Sequence, residues 1–321
     1  MKVLVTGASG FIGNHLCSLL TQQGFKVLAL VRPGSDIQKL QQLENVEFIF
    51  GDTGSPENLV KTNSLPEILF HLAADWSNLD AEIDKKFITF LIDNGLKKII
   101  YYSSVCAAGL DMANMPLIET DEPQFLEKDF YGKYKFAVEQ YISSLIRANK
   151  VAGVILRPTL VYGPGDTTNI FSLFKAIRLR KLALWEKGKR IIAPCYIQNL
   201  NTIAILAVTS DSFKDIVYYV ADGEGLSTLY VTKVIAKKMA FKHIYTNKST
   251  LLGKQKGFLI FVLNRFGFTN SFATHFAFNS WTRSYDVQLK KIQSVVDTKL
   301  LVPFEQAIEE TLSWYKQQNI I

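Results

Sequence analysis

Three residues in this chain have the types and spacing to do chemistry together: Ser104, Tyr131 and Lys135. Tyr131 and Lys135 stand four apart in DFYGKYK, so on a helix both project from one face. Moving a hydride to or from a carbonyl carbon requires a proton to be given to, or taken from, the oxygen. An unperturbed phenol titrates near pH 10, too high for a base at neutral pH. Lowering that value by about 3 units takes roughly 4 kcal/mol. One ammonium about 4 Å away in a partly shielded site supplies as much. Ser104 lies 27 residues upstream of Tyr131, at the end of an apolar strand signal, and is placed to hydrogen-bond the same substrate oxygen.

Such a trio needs a partner that carries the hydride, and the first thirteen residues, MKVLVTGASGFIG, describe where it would lie. The apolar run Val3, Leu4, Val5 stops at Thr6. Glycines follow at Gly7, Gly10 and Gly13, and a helical apolar pattern runs from Phe11 to Leu20. Strand, glycine-rich turn and helix in that order form a backbone cradle for a pyrophosphate at a helix N-terminus. Ser9, Phe11 and Ile12 belong to the same cradle. The spacing is G-x-x-G-x-x-G rather than the general G-x-G-x-x-G.

The second strand signal ends at Val31-Arg32. An acid there binds the ribose 2′-hydroxyl of NAD, whereas an arginine accommodates the 2′-phosphate of NADP. Val31 in the acid's place and Arg32 beside it favour NADP(H), with NAD(H) as the alternative. Asp52, followed by Thr53, closes the third strand signal and is placed for the adenine amine. His71-Leu72-Ala73-Ala74 ends the fourth, where small alanines let the main chain pass close to a cofactor. His71 itself reads as a satisfied core histidine rather than a base.

These residues need elements to hold them, and the hydrophobic pattern supplies them. Strands are expected at 2–6, 26–31, 46–50, 67–72, 98–103 and 152–157, with helices near 11–23, 36–43, 56–63, 80–94 and 130–149. Alternation of this kind implies right-handed crossovers and a parallel, doubly wound sheet. After Gly165 the regularity weakens, with helices expected near 168–179, 199–210, 227–239 and 304–317. The fold class is therefore α/β, a Rossmann-type doubly wound sheet with a smaller, discontinuous C-terminal domain. Residues 1–165 form the dinucleotide-binding part, with returns near 194–222, and 166–321 form mainly the substrate domain.

Composition excludes several other classes. Cys17, Cys106 and Cys195 are odd in number and lack C-x-x-C spacing, so neither a disulfide framework nor a metal site is indicated. The N-terminus runs straight into a strand, and no apolar run reaches the ~20 residues of a membrane span. The expected location is the cytoplasm. The net charge of +7 is unevenly placed. Residues 225–285 carry nine Lys/Arg and no Asp or Glu, which leaves 36 − 9 = 27 basic against 29 acidic residues elsewhere. That segment is also rich in phenylalanine. It reads as substrate-domain core with a basic rim, or as a weak contact with a membrane surface. An anionic substrate is a further reading, and nucleic acid is not indicated because no binding motif accompanies the charge.

The chain resembles the extended short-chain dehydrogenase/reductases, the epimerase/dehydratase group, over nearly its whole length. The matching pieces are TGASGFIG, GD at 51–52, HLAA, YYSSVCAAG, YGKYK and LRPTLVYGPG at 156–165. The looser matches are YIQNL at 196–200 and the C-terminal PFEQAIEETLSWY. The resemblance implies that Ser104, Tyr131 and Lys135 fall on the catalytic serine, tyrosine and lysine, with Lys135 also holding the ribose. It implies that the Pro158, Thr159 and Leu160 backbone borders the nicotinamide, and that the protein is a homodimer acting on a small molecule.

Three departures from the family pattern bear on substrate. The stretch between His71 and Ser103 is short, with Asp80 where an asparagine-bearing helix start is usual. Gln198 replaces the usual aspartate of the YVDNL-like segment. The arginine that sugar-nucleotide enzymes place just before that segment is missing from KRIIAPCY. The resemblance therefore leans to the hydroxysteroid-dehydrogenase-like and dihydroflavonol-reductase-like branches. The expected reaction is NAD(P)-dependent interconversion of a secondary alcohol and a ketone on a small, largely apolar substrate. The alternative is a nucleotide-sugar epimerase or dehydratase that uses the same trio and retains NAD.

Overall fold

A computed structural model describes residues 1–61, 65–109, 116–127, 129–180, 182, 184–241 and 285–321. In chain order the first part runs β1 (Lys2–Thr6), α1 (Phe11–Gln22), β2 (Lys26–Val31), α2 (Gln38–Gln41), β3 (Val46–Phe50), β4 (Ile68–His71), α3 (Ala81–Asp93), β5 (Lys98–Tyr102), α4 (Phe130–Arg147) and β6 (Ala152–Pro158). It continues with β7 (Leu160–Tyr162), α5 (Phe171–Arg178), β8 (Ile191–Ile192), β9 (Pro194–Tyr196), α6 (Ile197–Thr209), β10 (Val217–Val220), β11 (Leu226–Ser227) and α7 (Thr228–Lys238). Helices at Lys290–Val295 and Phe304–Gln317 follow.

Seven strands form one parallel sheet in the order β10-β6-β5-β4-β1-β2-β3. The chain builds outwards from β1 through β2 and β3, then returns to the other side of β1 with β4. That reversal between β1 and β4 opens a crevice at the carboxyl ends of the strands, where ligands bind in open α/β sheets. Valine, isoleucine and leucine dominate these strands, and both sheet faces are covered. Leu4, Leu69, Ile99 and Tyr101 pack beneath Phe87, Ile88 and Leu91 of α3 and Tyr134, Val138 and Ile142 of α4. On α1, Leu16, Cys17 and Leu20 are fully buried.

Two crossovers are slighter than the sequence pattern predicts. The helix expected at 36–43 is the single turn α2, and the one expected at 56–63 is a 3₁₀ segment, Pro56–Lys61. Ser-Asp and Thr-Gly pairs around these stretches favour turns over continued helix. All three cysteines are buried free thiols.

The chain divides into two compact units. The first comprises Met1–Val161, Cys195–Asp222 and Gln288–Val302, and the second Tyr162–Pro194, Gly223–Val287 and Pro303–Ile321. Within the first, Asn199 ties distant pieces together: Nδ2 donates to Asp222 Oδ1 (2.8 Å) and to the Val302 carbonyl (3.0 Å), while Oδ1 accepts from Val302 N (2.8 Å). Within the second, Tyr315 packs on Phe171 and Phe174, and its hydroxyl donates to the Asp166 carbonyl at 2.8 Å. Lys238 of α7 pairs with Glu309 at 2.5 Å. Most of the basic, acid-free stretch, residues 242–284, lies outside the described residues.

Candidate active site

The turn after β1 is shaped by what its glycines exclude. Gly7 adopts φ +68°, and a side chain there would press on the Leu72–Ala73 backbone at 3.0–3.1 Å. A Cβ on Gly13 would stand 2.1 Å from the Gly7 carbonyl oxygen, so any larger residue pries α1 from the turn. Gly10 caps α1 without a side-chain hydrogen bond, and the helix carries no acid in its first turn. Its first N–H groups, at Phe11, Ile12 and Gly13, carry the positive end of the helix dipole. Asn14 Nδ2 braces the turn by donating to the Ser9 carbonyl at 2.8 Å. This cradle fits a dinucleotide pyrophosphate.

The neighbouring strand ends complete the same edge. Arg32 follows β2 with its side chain 68% exposed and Nη1 3.9 Å from Asp75 Oδ1. Asp52 is exposed after β3 and accepts from Gly54 N at 2.9 Å, so its carboxylate builds the turn that holds Thr53. Leu72 and Ala73 donate their main-chain N–H groups to Thr6 Oγ1, each at 3.1 Å, which holds their backbone against Gly7, and Ala74 follows. Thr159 follows β6 and is anchored by its N–H to the Val220 carbonyl (3.1 Å), with Pro158 and Leu160 on either side.

The proposed catalytic trio meets beside this edge. Ser104 follows β5 and caps the 3₁₀ turn Val105–Ala108, its Oγ accepting from Cys106 N at 3.2 Å. Asp129 caps α4 by accepting from Gly132 N (2.9 Å), and a Cβ on Gly132 would meet the Cys106 carbonyl at 2.5 Å. Gly132 thus lets α4 lie directly on the 3₁₀ turn, which puts the Tyr131 hydroxyl on the Ser104 side chain in a hydrogen bond. Lys135, one turn further and 2% exposed, donates from Nζ to the Tyr102 carbonyl at 2.8 Å and lies 4.7 Å from the centre of the Tyr101 ring.

The electrostatics differ from the expectation drawn from the spacing. Burial pushes the Tyr131 phenol well above its ordinary value, the Cys106 thiol adds to the rise, and the Ser104 hydrogen bond offsets part of it. The phenol is therefore a neutral acid at pH 7, not a lowered base. Burial also pulls the Lys135 ammonium down, to about 8, against the opposing charges of Asp84 and Glu139. In this structure desolvation is the largest influence on the phenol.

Beneath the trio runs a buried network that the spacing did not reveal. Thr6 Oγ1, already accepting two N–H groups, donates to His71 Nδ1 at 2.8 Å. His71 Nε2 then donates to Asp84 Oδ1 at 2.8 Å, and the Tyr134 hydroxyl donates to Asp84 Oδ2 at 2.6 Å. With both ring nitrogens engaged and no exposure, His71 is a core residue that joins β1, β4 and α3. Burial disfavours the Asp84 carboxylate, but the His71 and Tyr134 bonds and the Lys135 charge hold it below the usual range. A signal for Asp84 did exist: it shares one helix face with Phe87, Ile88 and Leu91 at i+3, i+4 and i+7.

Among the described residues no group of His, Cys, Asp or Glu is arranged to hold a metal ion. No described helix is long and apolar enough to cross a membrane.

Comparison with known proteins agrees with this fold. A family model, the NAD dependent epimerase/dehydratase family, matches residues 3–221. A ketoreductase of Stigmatella aurantiaca, acting on a 4-hydroxy-2-methyl-3-oxo-4-farnesyl-3,4-dihydroquinoline-1-oxide, is 29% identical over 236 residues, covering 70% of this chain and 69% of the relative. A 2-alkyl-3-oxoalkanoate reductase of Stenotrophomonas maltophilia is 29% identical over 244 residues, 70% of this chain and 72% of its own. A UDP-glucose 4-epimerase of Vibrio cholerae is 24% identical over 254 residues, 73% and 75% of the two chains. The crystal structure of a Thermotoga maritima UDP-glucose 4-epimerase shares the fold with a TM-score of 0.75 at 20% identity, covering 99% of this chain and all of that one.

Proposed function

Because this chain belongs to the NAD dependent epimerase/dehydratase family and is an NAD-dependent enzyme of the extended short-chain dehydrogenase/reductase superfamily, we propose that it reduces a ketone on a small, largely apolar molecule to a secondary alcohol. The observation that carries this reading is the Tyr131 hydroxyl hydrogen-bonded to Ser104, one helical turn before the buried Lys135 ammonium. Nicotinamide chemistry at such a site is hydride exchange with the carbon of the alcohol/ketone pair. The chain's own residues handle the oxygen. Ser104 orients it by hydrogen bonding, and Tyr131 gives up its phenolic proton as negative charge grows there. Lys135 steadies the charge left on the phenol and borders the ribose. A buried phenol is a poor base but a ready donor to an alkoxide, which suits the reducing direction.

The cradle of Gly7, Gly10 and Gly13 would hold the pyrophosphate, and exposed Arg32 at the ribose end favours NADP(H) over NAD(H). Reductases acting on 3-oxo compounds at 29% identity support the apolar ketone. Replacing Tyr131 by Phe is expected to abolish NADPH-dependent ketone reduction while leaving NADPH affinity nearly unchanged, read by absorbance and by fluorescence titration. Full activity in that variant refutes the assignment. The likeness to a UDP-glucose 4-epimerase favours a second reading, in which the hydride of a sugar alcohol would pass transiently to a bound NAD while the same trio takes and returns the hydroxyl proton. Protein purified with one equivalent of NAD and no net NADPH consumption would select it.

A further inference from the structure

The loop between β4 and α3 carries a large aromatic residue that the reaction as described does not use. The chain leaves β4 pinned by Thr6 and turns at Asp75–Asn78. Asp75 Oδ1 accepts from Ser77 N (3.0 Å) and Ser77 Oγ (2.7 Å), and Asn78 N donates to the Asp75 carbonyl (3.0 Å). Asp80 then caps α3 by accepting from Glu82 N at 2.9 Å. A loop fastened at both ends and closed by its own carboxylate gives Trp76, inside the turn, a defined place.

That place is on the reactive phenol. The Trp76 ring stacks on the Tyr131 ring with centroids 4.5 Å apart and planes 18° from parallel, yet Trp76 remains 57% exposed. Tryptophan ordinarily gains stability by hiding its surface, so an indole fixed with more than half of it open is set to meet something else. Its inner surface covers one face of the phenol. Its outer surface stays open beside that ring.

We infer that Trp76 is a specificity-determining residue: a flat wall on which the carbon skeleton next to the substrate's carbonyl packs, selecting ketones that bear a long alkyl chain or aromatic ring. The inference rests on the proposed role of Tyr131 and names the substrate class for that same site. An indole face offers apolar area and polarisable contact but no partner for a hydroxyl group, so ring or chain is retained and a small ketone is not.

The test compares wild type, Trp76→Ala and Trp76→Phe with propiophenone, a long-chain 2-alkyl-3-oxo ester and butanone, using NADPH. In Trp76→Ala, KM for the first two is expected to rise by about 10- to 100-fold while kcat/KM for butanone stays within about threefold, and Trp76→Phe restores most of the difference. An equal loss on all three ketones, or no loss on any, overturns the inference. Calorimetric binding of propiophenone to the NADP+-loaded protein needs no turnover and so separates the two proposals. At least a tenfold weaker affinity in Trp76→Ala supports the wall even if Tyr131→Phe shows that the proton comes from elsewhere. Equal affinity, or no binding to wild type, removes the wall whatever Tyr131 does.

Discussion

Two buried cations, Arg157 at the end of β6 and Lys135 in α4, share a neighbour but not a condition. Glu139 follows Lys135 by one helical turn and takes Arg157 as its partner. Arg157 donates Nε to Oε1 at 2.9 Å and Nη2 to Oε2 at 2.6 Å, and Nη1 reaches the Tyr219 hydroxyl at 3.3 Å. Burial works against its charge, but the bonds and charge of Glu139 outweigh it and hold the guanidinium above its usual range. Lys135 is equally hidden, yet its hydrogen bond runs to a carbonyl and its flank rests on tyrosine rings. Burial wins there, and the ammonium falls to about 8. A fully matched charge fastens α4 to the sheet, whereas a half-matched one is poised within reach of working pH.

The comparison can be broken at either end. Replacing Lys135 by Met should lower turnover by about 10²- to 10⁴-fold without loss of stability at pH 7, checked by steady-state rates and urea denaturation. Replacing Arg157 by Met leaves Glu139 buried and alone, and should cost about 3–5 kcal/mol of stability, while the rate per folded molecule changes little. If the lysine variant is destabilised as much as the arginine variant, the contrast is wrong.

A finer test uses pH. The folded pKa of Lys135 lies below its unfolded value of 10.5, so its burial costs stability while both states are protonated. That cost is relieved as pH rises from about 8 towards 10.5, where the unfolded chain still binds the proton and the native one has released it. Wild type should therefore gain on Lys135→Met over that window, measured as the difference between their denaturation midpoints. Its rate should meanwhile fall about tenfold per pH unit above about 8 if the cation is needed.

Much of this was legible in the chain. Val3–Val5 and the three glycines announced β1, the turn and α1, because apolar runs and missing side chains are local signals. Tyr131 and Lys135 were legible for a like reason, since helical spacing alone puts them on one face. Glu139 and Trp76 were not, and of Asp84 only its place on the apolar face of α3 was, not its partners. Asp84 meets His71 from thirteen residues away and Tyr134 from fifty, and Glu139 finds Arg157 across a strand. Those pairings depend on crossover geometry that no short window holds. The depth at which Tyr131 is buried was not legible for the same reason: spacing shows the ammonium but not the burial that raises the phenol.

The sheet is finished by β10, an edge strand that pairs with β6 from residues 217–220, and α6 adds Asn201, which accepts from the Tyr102 hydroxyl at 2.9 Å. The chain therefore visits the second unit before it completes the first. During synthesis, the nucleotide-binding half must wait with β6 unpaired on one edge while the 58 intervening residues, 159–216, emerge, a long-range closure that slows folding and exposes that edge. A fragment cut near residue 165 would carry every glycine of the cradle and still present an open, adhesive flank.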